Sequence, residues 1–218
     1  MSVHLRREID KLKQSLLLLC RMVEEQVKMA VQALLDRDQS LAERVTERDD
    51  EIDQREVEVE EDCLRVLALY QPVAIDLRLI VSVVKINNEL ERVGDLAVNI
   101  AHKALAVVNE QVAVPEVLPE MAARTQSMLH DSIDALVALD SKLAAAVCSR
   151  DDEVDELKRT IRLEVEDRIE VNPRHLRPLL RLLAVSRNLE RIADCATNIA
   201  EDIIYMIEGR IVRHHEGE

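Results

Sequence analysis

Apolar residues recur along this chain at alternating spacings of three and four, in long runs separated by short polar breaks. That period is the signature of amphipathic α-helices. It predicts helices over about 4–36, 40–70 and 73–109, and again over about 119–138, 140–170 and 176–208. The breaks fall at Asp36–Ser40, Gln71-Pro72, the segment from Val114-Pro115 to Pro119, and Asn172-Pro173. Proline is tolerated near a helix start and disrupts a helix interior, so these are turns. Ser40-x-x-Glu43 has the spacing of a capping box, and Gly209 suits the left-handed position that ends a helix. The tail, Arg210 to Glu218, is expected to fray.

The pattern is duplicated. Arg48-Asp49-Asp50-Glu51-Ile52-Asp53 returns 102 positions later as Arg150-Asp151-Asp152-Glu153-Val154-Asp155. Leu90-Glu91-Arg92-Val93-Gly94-Asp95 returns 99 positions later as Leu189-Glu190-Arg191-Ile192-Ala193-Asp194, and Asn99-Ile100-Ala101 as Asn198-Ile199-Ala200. Two similar units follow, 1–112 and 113–218, each of three helices. Short connections make sequential helices antiparallel. The expected fold is all-α: two tandem three-helix bundles, sharing long helices or lying side by side.

Composition narrows the function. The chain has 218 residues with 29 basic and 43 acidic side chains, a net charge of −14. Such a chain repels phosphodiester backbones, and with aromatics at 1% it has no stacking platform for bases, so nucleic acid is excluded as a partner. Three glycines and five prolines are too few for an all-β fold. The charged start, Met1 to Asp10, does not read as a secretory signal, and the apolar run Leu16–Cys20 is too short to span a bilayer. Cys20, Cys63, Cys148 and Cys195 form no CxxC pair and read as buried, reduced thiols of a cytosolic protein.

Acidic residues then appear where the periodicity calls for apolar ones. On the third helix the stripe Leu77, Val81, Val84, Asn88, Glu91, Asp95, Asn99, His102 begins apolar and turns polar; the sixth repeats it with Leu176, Leu180, Leu183, Arg187, Glu190, Asp194, Asn198, Glu201. The seam of the second helix, Val45, Asp49, Ile52, Glu56, Val59, Cys63, Val66, Tyr70, contains Asp49 and is bordered by Asp53; Val147, Asp151 and Val154, bordered by Asp155, repeat that seam. Folding each hairpin about Pro72 or Asn172-Pro173 sets Asp49 level with Asp95, Asp53 with Glu91, Asp151 with Asp194 and Asp155 with Glu190. Four carboxylates then converge in each unit. If solvated they need no explanation; if partly buried, they must be neutralised by Arg48, Arg92, Arg150 and Arg191 or by cations. An oxygen-rich set that includes Asn99 or Asn198 suits Mg²⁺, Mn²⁺, Ca²⁺ or iron, with zinc less expected. His102 extends one stripe but is Glu201 in the other. His130 falls near Asp151 if its hairpin turns at about 140, and His214-His215 lies in the tail. A small residue beside the acids, Gly94 or Ala193, suggests close helix approach.

Leu90-Glu91-Arg92-Val93-Gly94-Asp95-Leu96-Ala97-Val98-Asn99-Ile100-Ala101, its second copy from Asn188 to Ala200, and Pro72-Val73-Ala74 with Asp76-Leu77-Arg78 resemble the PhoU family over about residues 5–210. The second turn departs, with His175-Leu176-Arg177 in place of Asp76-Leu77-Arg78. The resemblance implies two three-helix bundles and multinuclear iron or zinc sites, with manganese, magnesium or other divalent or trivalent ions as options. It places the ligands at the ExxxD acids Glu91, Asp95, Glu190 and Asp194 and the DxxxD acids Asp49, Asp53, Asp151 and Asp155. It also implies a cytoplasmic, homodimeric negative regulator of the phosphate-starvation response and of phosphate uptake. Its implied partners are the ATPase subunit of a phosphate ABC transporter and a sensor histidine kinase, with membrane association through them.

An enzyme is the rival of another class. Carboxylate-bridged dimetal bundles use Glu-x-x-His pairs, and no glutamate here has a histidine three residues on. No Gly-rich phosphate loop or Ser/His/Asp arrangement is present either. A metal-free helical adaptor and an accessory protein of a low-affinity phosphate transporter complete the alternatives.

Overall fold

The computed structural model describes residues 3–110 and 112–211. Among them lie α1 (Val3–Asp36), α2 (Gln39–Glu47), α3 (Asp49–Tyr70), α4 (Ala74–Val107), α5 (Leu118–Ala138), α6 (Ser141–Cys148), α7 (Asp151–Val171) and α8 (Leu176–Glu208), with a 3-10 turn at Pro173–His175 leading into α8 and no strand among the described residues. The six expected rods are there, but the second and fifth are each broken into two helices. The breaks fall at Arg48 and at Ser149-Arg150. The repeated acidic block explains both. Asp49, Asp50 and Glu51 fill the first turn of α3, as Asp151, Asp152 and Glu153 fill that of α7, where carboxylates meet the positive end of the helix dipole. The block therefore marks a helix start, which a purely apolar period reads straight through.

The turns before α2 and α6 are also repeated. Arg37 and Leu139, at equivalent positions, both adopt left-handed backbone, with φ of 56° and 52°. Asp38 then caps α2 by accepting from the Leu41 N–H at 3.0 Å, and Asp140 caps α6 by accepting from Lys142 and Leu143. The expected Ser40–Glu43 box is thus not the cap. Asp38, two residues earlier, reaches the free N–H, and Glu43 accepts instead from Gln39 at 2.7 Å. At the far end Gly209 closes α8 with φ +71°, and a Cβ there would lie 2.9 Å from an Arg78 guanidinium nitrogen. The tail from 212 onward, with His214 and His215, lies outside the described residues, as do Met1 and Ser2.

The two repeats share one interior. α4 and α8 make the most extensive helix pair in the molecule, and a single apolar cluster runs through both halves. They run antiparallel: Lys85 reaches Asp202, Glu89 accepts from Asn198, and Ala106 C=O accepts from Arg181. Each is therefore covered on two sides, by its own repeat and by the other's central helix. Ile80, Ile86, Leu90 and Ile100 of α4, with Leu179, Leu182, Leu189 and Ile192 of α8, are essentially excluded from water. Burial of such side chains contributes about 1.5–3 kcal/mol each. Among the described residues no helix is long and apolar enough to cross a membrane.

Candidate functional site

Double coverage of α4 and α8 moves the acidic stripe from where a single seam would put it. The buried face of α4 runs through Ile80, Val83, Asn87, Leu90, Gly94, Ala97 and Ala101. The expected stripe is rotated away from that face: Leu77 is 40% exposed, Asn88, Asp95, Asn99 and His102 are exposed, and Glu91 is half-buried. On α8, Leu176 and Leu180 are exposed, while Glu190, Asp194 and Asn198 are half-buried. The acids therefore rim the helix hairpins and do not occupy the core. The seam expected on the second helix does face inward, with Val45, Ile52, Val59, Cys63 and Val66 buried, Asp49 half-buried on it and Asp53 exposed beside it. Val147 and Val154 are buried likewise, with Asp151 half-buried and Asp155 exposed.

Within each hairpin the carboxylates face one another. Burial, then Asp53 and Asp95, push the Asp49 carboxyl above its ordinary range, against a hydrogen bond from Gln26. Burial and then Asp95 raise Asp53, and Glu91 is raised by burial, then by Asp95, Asp53, Glu56 and Asp49. In the second repeat burial, then Asp155, Asp152 and Glu190, raise Asp151. Asp194 is pushed up to about 6, first by burial and then by Glu190, Asp151 and Asp155, while Lys158 pulls it back. Like charges brought together in a partly desolvated groove hold on to protons in this way. Among the described residues, however, no three His, Cys, Asp or Glu side chains are gathered as they would be around a metal ion.

The expected arginine partners point elsewhere. Arg48 pairs with Glu25 at 2.8 Å and contacts the Met29 sulfur; Arg150 pairs with Asp131 at 2.6 Å; Arg92 stands 4.0 Å from Glu89. Among the described residues no Lys, Arg or His lies within ion-pair distance of Asp49, Asp53, Glu91 or Asp95. The second repeat differs. Lys158 Nζ lies 2.8 Å from Glu190 and 3.6 Å from Asp155. Its counterpart in the first repeat, 102 positions earlier, is Glu56, a fifth carboxylate. Glu56 accepts from the buried Asn87 at 2.7 Å, which ties α3 to α4. Among the described residues, the facing carboxylates of the first hairpin thus have no cation at ion-pair distance, and those of the second have Lys158.

The flanking groups were partly legible. Glu56 stands on the seam of the second helix. Gln26, buried, donates to Asp49 at 3.1 Å, and Thr197 Oγ1 lies 3.5 Å from Asp151; neither type nor spacing signals those roles in the sequence. Asn198 donates to Glu89 across the repeat boundary at 3.3 Å, and Asn99 faces solvent. His130 does not approach Asp151. Its ring contacts Glu24 at 2.6 Å and Asp134 at 3.5 Å, because α5 packs on α1 along this edge, and the Glu24 contact raises its pKa. All four cysteines are free thiols. Burial raises Cys20 and Cys63 to about 12 and Cys148 to about 11. Gly94 is buried against Ile52, whose Cγ2 would sit 3.4 Å from an added Cβ, an ordinary contact. α3 and α4 approach closely there without requiring glycine.

The chain matches the model of the PhoU domain twice, over residues 16–104 and 118–203. It is 39% identical over 210 residues to the phosphate-specific transport system accessory protein PhoU homolog of Pseudomonas aeruginosa, covering 95% of this chain and 86% of that one. Among solved structures it resembles PhoU from Pseudomonas aeruginosa with a TM-score of 0.91 at 37% identity, covering 94% of this chain and 99% of the other. It resembles the phosphate transport system regulatory protein PhoU from Streptococcus pneumoniae with a TM-score of 0.87 at 30% identity, covering 95% and 99%.

Proposed function

The chain belongs to the PhoU family, and from that membership we propose that it is a non-catalytic accessory regulator of phosphate-specific transport. In this reading it works in the cytoplasm as a homodimer. It links the ATPase subunit of a phosphate ABC transporter to a sensor histidine kinase, and so restrains uptake and the starvation response when phosphate is plentiful. The names borne by its relatives support the transport and regulatory parts. The observation that carries a metal-dependent version is the first hairpin, where burial and neighbouring carboxylates, Asp95 among them, raise the proton affinity of Asp49, Asp53, Glu56 and Glu91, with no Lys, Arg or His at ion-pair distance among the described residues. Oxygen donors of this kind suit hard divalent or trivalent ions. Asp49, Asp53, Glu91, Asp95 and Asn99 would hold such an ion in the first repeat, and Asp151, Asp155, Glu190, Asp194 and Asn198 in the second. The side chains would have to swing inward to do so. A bound cation supplies positive charge that offsets their repulsion and ties α3 to α4, or α7 to α8.

A second reading, a metal-free adaptor, is favoured for the second repeat by Lys158, whose ammonium already occupies the carboxylate groove. The test of the main reading is deletion of the chromosomal copy, with a reporter of starvation-responsive transcription read in phosphate-rich medium. Derepression that is reversed by the wild-type chain, and not by one lacking Asp49, Asp53, Glu91 and Asp95, is expected. A reporter that stays silent after deletion overturns the regulatory reading.

A further inference from the structure

The two repeats have diverged in charge at one groove. In the second, a cavity of about 250 Å³ between α7 and α8 is lined by Asp155, Lys158, Arg159, Arg162, Leu183 and Arg187. Four cations and one carboxylate thus face one cleft of a chain whose net charge is −14. The first-repeat residues at the four cationic positions are Glu56, Val57, Glu60 and Asn88. Leu183 matches Val84, so the apolar floor is kept while the charge of the rim is reversed. Drift on a solvated face leaves mixed signs; here every cationic position differs in the same direction.

The cations are available. Arg159 pairs with Glu156 three residues away, and Arg162 with Glu166 four residues away, both highly exposed contacts within α7 that an incoming anion can displace. Arg187 has no carboxylate at ion-pair distance among the described residues. Lys158 is held in place by Glu190 and is the least exposed of the pairs' cations. Lys158 and Arg162, one turn apart on α7, share a face toward Arg187 on α8. Guanidinium groups from α7 and α8, with the Lys158 ammonium, match an acceptor with oxygens on several sides, and the four cations outweigh the repulsion that Asp155 exerts on any anion.

We propose that this α7–α8 groove binds a multiply charged tetrahedral oxyanion of the phosphate class. The site is separate from the acidic hairpin of the first repeat and does not depend on metal. Calorimetric titration of the full chain with inorganic phosphate, at ionic strength held constant with chloride, should show saturable binding. Co-sedimentation with phosphatidylcholine vesicles, with and without phosphatidic acid, reads the same chemistry on a lipid headgroup. Binding in the first assay assigns a free ion, and binding in the second alone assigns a headgroup. Arg162→Gln with Arg187→Asn should weaken that binding about tenfold or more, with helicity and metal content unchanged. Arg65→Gln with Arg124→Gln, which removes the same charge elsewhere, should leave it intact. The proposal is overturned if neither probe binds the wild-type chain, or if both double variants weaken binding equally. Those outcomes leave the deletion phenotype untouched, so this proposal and the regulatory reading fail separately.

Discussion

Lys85 of α4 reaches across the repeat boundary to Asp202 of α8, with Nζ 3.0 Å from Oδ1, while the same ammonium lies 5.2 Å from the centre of the Tyr205 ring. Asp202 is 3% exposed. An ion pair with one member placed this deep links the two halves, and the Tyr205 ring flanks its ammonium. Lys85→Met should therefore destabilise the protein by about 2 kcal/mol, below the usual cost of breaking a buried pair because Lys85 is itself partly exposed. Lys85→Met with Asp202→Leu should recover much of that loss. Urea denaturation measures both, and additive losses in the double variant would contradict coupling across the seam.

Gly94→Ala should stabilise the protein by about 0.5–1 kcal/mol, since the helix gains propensity and the new methyl meets Ile52 at ordinary contact distance. Ala193 already occupies the matching place in the second repeat, where Val154 stands in the position of Ile52. A fall in melting temperature would show that the α3–α4 approach tolerates nothing larger than hydrogen.

Metal content should depend on the acids. Asp95→Asn with Asp194→Asn should abolish binding of Mn²⁺ or Fe²⁺ while leaving helicity intact. Stoichiometric metal retained in that variant, measured by elemental analysis, would remove these residues from the site.

The difference between the hairpins should be transferable. Glu56→Lys gives the first repeat the cation that the second carries at Lys158, and should lower its metal occupancy. Lys158→Glu should raise occupancy in the second repeat. Elemental analysis after equilibration with Mn²⁺ reads both, and unchanged stoichiometry in both variants would detach metal binding from this position.

The pH dependence of the chelated protein follows from the raised carboxyls. Asp194, at about 6 when folded against an ordinary 3.8, binds its proton more tightly in the folded state than in the unfolded one. Its contribution to stability is therefore present at low pH and is lost as pH rises between those values. Asp49, Asp53, Glu91 and Asp151 shift in the same direction. The metal-free chain should melt lower at pH 7.5 than at pH 5.5, and Asp194→Asn should recover part of the difference. Equal melting temperatures at the two pH values would mean that the carboxylates are fully solvated.

Six helical rods, their duplication and the register of each hairpin can be read along the chain, though not the breaks at Arg48 and Ser149-Arg150. Each of these rests on local chemistry: a three-to-four apolar period, prolines at turns, and acidic blocks repeated at fixed offsets. The sequence also brought Asp49 toward Asp95 and Asp151 toward Asp194, because two helices joined by a short turn have the same rise per residue. Tertiary structure decided which faces are wet. α4 and α8 pack against each other as well as within their own repeats, so their buried face is broader than any one seam, and the acidic stripe is left on its margin. It also decided the counter-ions, because a long arginine can reach any of several carboxylates. Arg48 chose Glu25 and Arg150 chose Asp131, while Lys158, unremarkable in the sequence, settled among the acids. Periodicity along one helix fixes which residues share a face; what meets that face depends on chain far away in sequence.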